Sequence, residues 1–402
     1  MPPKKRKQPA PKSDPGELGT LMKEVAKDQG QEIMVSAANL PPATHLPLKN
    51  FILDFATLGG IMESCGHMIY GNANSGKTTL WLQVVTSILD KYPTGYVVWV
   101  DVEKKFDPEW AKRHGVDIDR VRVVRPPTGE AAVDIIDAAM RTLEVKGVVL
   151  DSIPSLLPFQ ILEKSAEDMT VGARARLVGL LCSKVQQAWI DELRRGHKVT
   201  FLCINQFREK IGQMFGDPRT LPGGRFQEYM VDTKLEIKCE EIFPTTKKMM
   251  AEYGIVDEGF KPHVMNKHAF KFTKTKGGFS LKQGEFLMVM DDSVRSDGMV
   301  CGEIDDFETV VNFARSRDII TGGAPYYLKG YDNKFASKAE VIAFLRGNPE
   351  IDLDIRRAII VRQRMASKVP AYPPDNYLLG KTTVESRQRA LALLKDEQPE
   401  TP

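Results

Sequence analysis

Long hydrophobic runs are missing from this 402-residue sequence: no stretch of about 18 apolar residues occurs, so no segment reads as a membrane-spanning helix. The basic N-terminus does not lead into the apolar segment of a secretory signal; a proline-rich polar stretch follows it instead. Cysteine is scarce and scattered. The five (Cys65, Cys182, Cys203, Cys239, Cys301) include no C-x-x-C pair, which argues against a zinc site and suits a reducing compartment. Charge of one sign is lacking as well. With 56 Lys and Arg against 53 Asp and Glu, the net charge of +3 is too small to imply a nucleic-acid partner, so the distribution of basic residues matters more. No internal repeat is present. What remains, 42% apolar with 27% charged residues, is the composition of an ordinary globular protein.

The organisation follows from local pattern. Residues 1–16, "MPPKKRKQPAPKSDPG", are rich in proline and lysine and are expected to form a disordered basic tail. "PPKKRK" also resembles a nuclear import signal, but a flexible basic arm is the reading preferred. Residues 17–45 carry a short helical pattern at Leu18, Leu21, Met22 and Val25, then the extended linker "NLPPATHLP". The segment 46–295 alternates strand-like and helical patterns. Its strands are "GHMIYG", "GYVVWVDVE", "KGVVLDS", "KVTFLCINQ", "DTKLEIKC", "HAFKFTKTK" and "EFLMVMDD", with helices near 77–91, 129–144 and 171–195. The first four strands are near-continuous apolar runs, as buried parallel strands should be; the later ones follow one another without long helices. This predicts an α/β core with a mostly parallel central sheet and appended antiparallel strands. Residues 296–366 change to short amphipathic helices around "PYYLKGYDNKFA", a small second domain, and 367–402 are polar with a short helix near 383–396.

The chemistry starts at "GNANSGKTTL", residues 71–80, which fits the phosphate-loop pattern G-x-x-x-x-G-K-[ST] between a strand and a helix. Gly71 and Gly76 permit backbone angles and close approach that a Cβ would block. The backbone of Asn72, Ala73, Asn74, Ser75 and Gly76 then cradles phosphates at a helix N-terminus, with Thr79 in its first turn. Lys77 would pair with the β and γ phosphates of ATP, and Thr78 would ligate Mg²⁺. Asp151, ending the apolar strand "VVLDS", can hold the metal's water shell. In "WVDVEKKFDPEW", Glu103 follows a buried strand and can orient or deprotonate the attacking water, with Asp101 as a rival. Asp107 and Trp110 are candidate adenine contacts, or else an ordinary helix start with an inward-packed indole.

Residues 203–230, "CINQFREKIGQMFGDPRTLPGGRFQEYM", are too polar and glycine-rich for a core and too long for a connector. Arg208, Lys210, Arg219 and Arg225 suit phosphates. Ile211, Met214 and Phe215 suit bases, with Gly212, Gly223 and Gly224 giving freedom to the backbone. Gln206, at the preceding strand end, could sense a γ-phosphate and pass its presence to the loop. A second DNA-binding candidate is "KSAEDMTVGARARL", residues 164–177, with Met169, Gly172, Arg174 and Arg176.

"GNANSGKTTL", "VDVEKKFDPEWAKRHGVDID", "VLDSIPSLLP", "INQFREKIGQMFGDP" and the glycine pair 223–224 together resemble, in order and spacing, the motifs of the RecA family of strand-exchange recombinases. The likeness runs from about residue 20 to 366 and includes "ITGGAPYYLKGYDNKFASKAEVIAFLRGNPEI", similar to that family's small C-terminal domain. The resemblance implies a RecA-like ATPase that forms helical filaments on single-stranded DNA and pairs it with a homologous duplex. It implies Glu103 rather than Asp101 as the catalytic carboxylate, Gln206 as the γ-phosphate sensor, and Asp107 and Trp110 at the adenine, the indole replacing the usual tyrosine. Segments 164–173 and 207–224 match the two DNA-binding loops. Lys274 and Lys276 match lysines that reach a neighbour's ATP, and the helix around Val25 matches an oligomerisation arm. Further partners implied are a single-strand binding protein and a loading mediator, in a bacterial cytoplasm or an infected host cell.

Departures include a first DNA loop without its glycine-rich look, extra charge at Arg219 and Arg225, a mildly acidic tail, and the basic N-terminal extension. They favour a phage-encoded member of the UvsX type or another divergent one. Two other classes are a ring-shaped DNA helicase of the same fold and a non-catalytic accessory protein. The first usually brings an N-terminal collar and an arginine finger, where this chain offers a short arm and lysines. The second commonly loses the loop lysine or the catalytic acid, yet Lys77, Glu103 and Gln206 are all present.

Overall fold

The computed structural model describes residues 43–163, 172–209, 219–243, 263–276, 280–291 and 299–366, with a few isolated positions besides. The basic tail, the helical pattern from Leu18 to Val25 and the polar segment 367–402 lie outside the described residues, apart from isolated positions in the second. Among the described residues no helix is long and apolar enough to cross a membrane.

A nine-stranded sheet organises the unit Thr44–Pro402. Its strands are β1 (Gly66–Gly71), β2 (Tyr96–Asp101), β3 (Val121–Val124), β4 (Val145–Asp151), β5 (Thr200–Gln206), β6 (Thr233–Ile242), β7 (Met265–Thr275), β8 (Gln283–Val289) and β9 (Ile304–Asp305). The spatial order is β9-β8-β7-β6-β1-β5-β4-β2-β3. From β6 to β3 all neighbours run parallel; β7, β8 and β9 are added antiparallel. The expected parallel core with an antiparallel extension is therefore what the chain forms.

The apolar runs are continuous because both sheet faces are covered. Ile69, Val149, Leu202 and Ile204 face one cluster with Trp81 and Leu80 from helix α1 (Lys77–Lys91). Their neighbours Met68, Tyr70, Val148, Leu150, Phe201 and Cys203 face the other cluster. That cluster also holds Ile136 of α3 (Gly129–Met140) and Val178 and Leu181 of α4 (Ala173–Arg194). Adjacent residues pointing to opposite faces is the two-residue period of a strand. Between them, α2 (Pro108–Arg113) follows β2.

Three features differ from the sequence expectation. Helix α3 stops at Met140, and residues 141–144 turn into β4. Strand β3 was not anticipated: as an edge strand it leaves Arg122 and Val123 exposed and shows no apolar run. In the C-terminal part, residues 320–335 form a three-stranded antiparallel sheet, flanked by helices Phe307–Arg315, Lys338–Gly347 and Pro349–Ala366. Phe51 and Phe55, from a short helix early in the chain, pack into this cluster beside Val310, Ile319 and Ile359.

Candidate active site

Parallel strands bring their C-terminal ends to one edge, and a ligand site there is the usual consequence. The register puts Gly71 beside both Gln206 and Ile237, and Asp101 beside Asp151. Above this edge lies a cavity of about 650 Å³ lined by residues 73–79, Glu103, Trp110, Asp151 and Gln206, among others. Gly71 and Asn72 shape the loop without lining the cavity. Gly71 must be glycine, since a Cβ would lie 2.1 Å from the Ile237 carbonyl oxygen of β6. Gly76 precedes α1 with φ +83°, a left-handed angle that favours glycine. Leu80 N–H makes the first α1 bond, to the Gly76 carbonyl, so the N–H groups of Lys77, Thr78 and Thr79 have no helical partner and suit an anion. Lys77 is buried. Its ammonium donates to the Asn72 carbonyl and to Ser75 Oγ, and burial lowers its pKa against the pull of Asp151 and Glu103.

Two carboxylates converge on the cavity with opposite tuning. Glu103 Oε1 accepts hydrogen bonds from Ser152 Oγ, Ser155 Oγ (3.2 Å) and Gln206 Nε2 (3.1 Å), while Oε2 lies 3.1 Å from Lys105 Nζ. Burial opposes ionisation, but the bonds from Ser152 and Lys105 outweigh it and hold the pKa below the usual carboxylate range. Asp151 is pushed up to about 7, first by burial and then by the Glu103 charge. Thr78 Oγ1 donates to its Oδ2 at 3.2 Å. Asp101 does not line the cavity. It accepts from the backbone of Lys105 (2.9 Å) and Phe106 (3.2 Å) and pairs with Arg125, which shapes the loop carrying Glu103.

Asp107 caps α2 by accepting from Glu109 and Trp110 N–H, at 2.9 and 3.1 Å. It is exposed and does not line the cavity. Trp110 does, and its indole N–H donates to Thr79 Oγ1 at 3.0 Å, which fixes the ring against the first turn of α1. Asn266, His268, Met288 and Met290 line the same cavity from the antiparallel strands and the residue just beyond β8. Sequence reasoning missed these four, as it missed Ser152 and Ser155. Nothing local marks the four, and His268 reaches the loop from 193 positions away; Ser152 and Ser155 sit inside "VLDSIPSLLP" without a role assigned to them.

Of the DNA-binding candidates, Met169 and Lys210, Ile211, Gly212, Met214 and Phe215 lie outside the described residues. What is described is the base of each segment. Arg174 and Arg176 sit in the first turn of α4 after Gly172; Arg174 donates to the Leu156 carbonyl and Arg176 is exposed. Residues 208–209 pair antiparallel with 219–220, so a two-stranded stem carries the second segment. Arg208 lines the same cavity, and Arg219 lies 4.7 Å over the Phe207 ring. Gly223 and Gly224 have φ of +105° and +76°, and Arg225 is exposed just before the short helix Phe226–Met230. Buried Asn205 ties the stem down: its amide donates to Pro222 O and Gln227 Oε1, while Gln227 donates to Pro222 O and Gly224 O. Lys274 and Lys276 do not line their own cavity. Lys274 donates to the Glu228 carbonyl, and Lys276 pairs with Asp232 at 2.5 Å.

The family model of the RecA N-terminal domain matches residues 17–277. Among curated proteins, the chain is 30% identical over 349 residues to Protein RecA of Tropheryma whipplei, covering 86% of this chain and 72% of the relative. It is 32% identical over 319 residues to Protein RecA of Streptomyces coelicolor (79% and 77%), and 33% identical over 308 residues to that of Streptomyces venezuelae (76% and 73%). A phosphate loop, paired acids and a nine-stranded sheet with an antiparallel extension agree with this match: the chain belongs to the RecA family of ATP-dependent recombination proteins.

Proposed function

We propose that the protein is a DNA-dependent ATPase that assembles as a helical filament on single-stranded DNA and catalyses pairing and strand exchange with a homologous duplex. The observation that carries this reading is the direct hydrogen bond from Gln206 to Glu103, beside an Asn205 that clamps the root of the second DNA-binding segment. One strand end thus touches both the hydrolytic carboxylate and the loop that would hold DNA.

Bound ATP would place its phosphates on the α1 N–H groups and on Lys77, which gives up the Asn72 carbonyl for them. Trp110 offers a π-face to the base from the other end of the cavity. Glu103, ionised at neutral pH, orients the attacking water and takes its proton. Gln206 can exchange its bond to Glu103 for a γ-phosphate oxygen. Because Asn205 is next in the chain, the stem of residues 208–209 and 219–220 would feel that exchange. The raised pKa of Asp151 marks a buried carboxylate short of positive charge, which fits Mg²⁺ held by Thr78, Asp151 and nucleotide phosphates. When bound, that ion neutralises charge on the β and γ phosphates. Lys274 and Lys276, outside their own cavity, would reach the γ-phosphate of an adjacent subunit in the filament.

Purified Lys77→Ala protein should lose ATP-dependent joint-molecule formation between single-stranded and homologous duplex DNA. Near-normal joint formation by this variant would refute the assignment of the loop.

A further inference from the structure

We propose that His268 is a positioning residue of the phosphate loop: from β7 it pins the Ser75 carbonyl on the strand side and so directs the Gly76 N–H to the opposite side, toward the phosphates. This rests on the reading of residues 71–79 as the phosphate site.

His268 Nδ1 lies 3.2 Å from the Ser75 carbonyl oxygen. A carbonyl only accepts, so Nδ1 carries the proton in this contact. The peptide bond joining Ser75 to Gly76 is planar and trans, so its N–H points opposite to its C=O. Fixing one therefore fixes the other. The loop works only if its N–H groups face the anion, and Gly76, in a left-handed conformation without a Cβ, is the position most free to turn the wrong way.

The ring is built in to resist that turn. It is 1% exposed and stacks on Phe286, with centroids 4.9 Å apart and planes 15° from parallel. It also lies directly against the loop: a Cβ on Gly76 would fall 2.8 Å from His268 Cε1. Burial lowers the imidazole pKa to about 4, so the ring is neutral near pH 7 and has a single N–H, which Ser75 takes. Among the described residues, Nε2 is buried without a hydrogen-bond partner. A phenylalanine would fill the same space and avoid that orphaned nitrogen, so packing alone does not account for a histidine here. The loop bond does. Strand β7 runs on to Lys274 and ends one residue before Lys276, so one strand braces its own phosphate loop and carries the lysines offered to a neighbour.

The test compares His268→Phe, His268→Ala and His268→Asn in the full chain. Phenylalanine keeps the stack and loses the donor. The asparagine amide can occupy the Nδ1 position and donate. Affinity for ATPγS is measured by calorimetry, kcat and KM by phosphate release on single-stranded DNA, and thermal unfolding without nucleotide. His268→Phe and His268→Ala should weaken ATPγS binding about tenfold and raise KM by a similar factor, the scale of one well-placed hydrogen bond. The Phe variant should keep kcat within about threefold and the parent's unfolding temperature, and Asn should recover most of the affinity. Parent-like ATPγS binding by His268→Phe, or binding by His268→Asn as weak as that of Phe, overturns the proposal. Lys77→Ala serves as control. If it loses nucleotide while His268→Phe does not, only the role of His268 falls. If Lys77→Ala binds as tightly as the parent, the phosphate-site reading falls, and this proposal with it.

Discussion

Replacing Glu103 by glutamine removes an ionisable carboxylate and spares nearly everything around it. The three donors on Oε1, from Ser152, Ser155 and Gln206, can all be accepted by the glutamine carbonyl oxygen. Only the Oε2 contact with Lys105 is lost. The Lys105 side chain is 75% exposed, so that loss should cost at most about 1 kcal/mol. The chemical loss is larger. A positioned general base contributes roughly 10²–10⁴ in rate, or about 3–5 kcal/mol of barrier. DNA-dependent phosphate release should therefore fall by about 100-fold or more. ATPγS affinity and ATP-dependent assembly on DNA should stay within about fivefold of the parent, as the small structural term allows. Coupled phosphate release and equilibrium titration on the same preparation read both. Turnover within about threefold of the parent would refute a proton-accepting role and leave water positioning to Gln206. A fall in affinity matching the fall in turnover would mean that Glu103 acts as a structural anchor instead.

The raised pKa of Asp151 predicts a pH signature in the nucleotide-free protein. The fold favours its protonated form, so its stabilising contribution is complete below the unfolded value near 3.8 and is lost as pH rises through about 7. Between pH 5 and 8 the parent's unfolding temperature should therefore fall more than that of Asp151→Asn; equal slopes would contradict the burial argument. Lys274→Ala with Lys276→Ala should fold and bind nucleotide as a subunit but lose DNA-stimulated hydrolysis. Mixed with Glu103→Gln protein on DNA it should regain partial turnover, and no recovery with co-assembly verified would exclude a shared site. Arg208→Ala with Lys210→Ala should flatten the salt dependence of single-stranded DNA binding by up to about 0.7 per lost phosphate contact. Unchanged affinity at moderate salt would remove this segment from the DNA site.

The sheet core was legible because each strand buried on both faces is an uninterrupted apolar run, and the phosphate loop because its chemistry is local in sequence. Helix α1 spans the residues expected of it, since the loop fixes its start. What escaped was non-local or half-exposed. Strand β3 lies at the sheet edge, where alternation of valine and arginine looks like surface. The three-stranded sheet at 320–335 is built from strands of only two or three residues, too short to show a period. Phe51 and Phe55 pack on a cluster formed more than 250 positions later, which no window could anticipate. Within the site, Glu103, Asp151 and Gln206, near the ends of their strands, line one cavity with Lys77 from the start of α1. The contact of His268 with the loop was invisible because it comes from sheet order, while Ser152 and Ser155 lie inside "VLDSIPSLLP" and face Glu103 only through the register of β2 and β4.

The proposed function requires ATP and DNA together to drive this chain into a helical filament able to exchange strands. Electron microscopy of the purified 402-residue chain with single-stranded DNA and ATPγS is the decisive measurement. Long helical filaments that require both ligands, persist with Glu103→Gln and vanish with Lys77→Ala are the expected result. Closed rings on DNA, or particles indifferent to nucleotide, would contradict it.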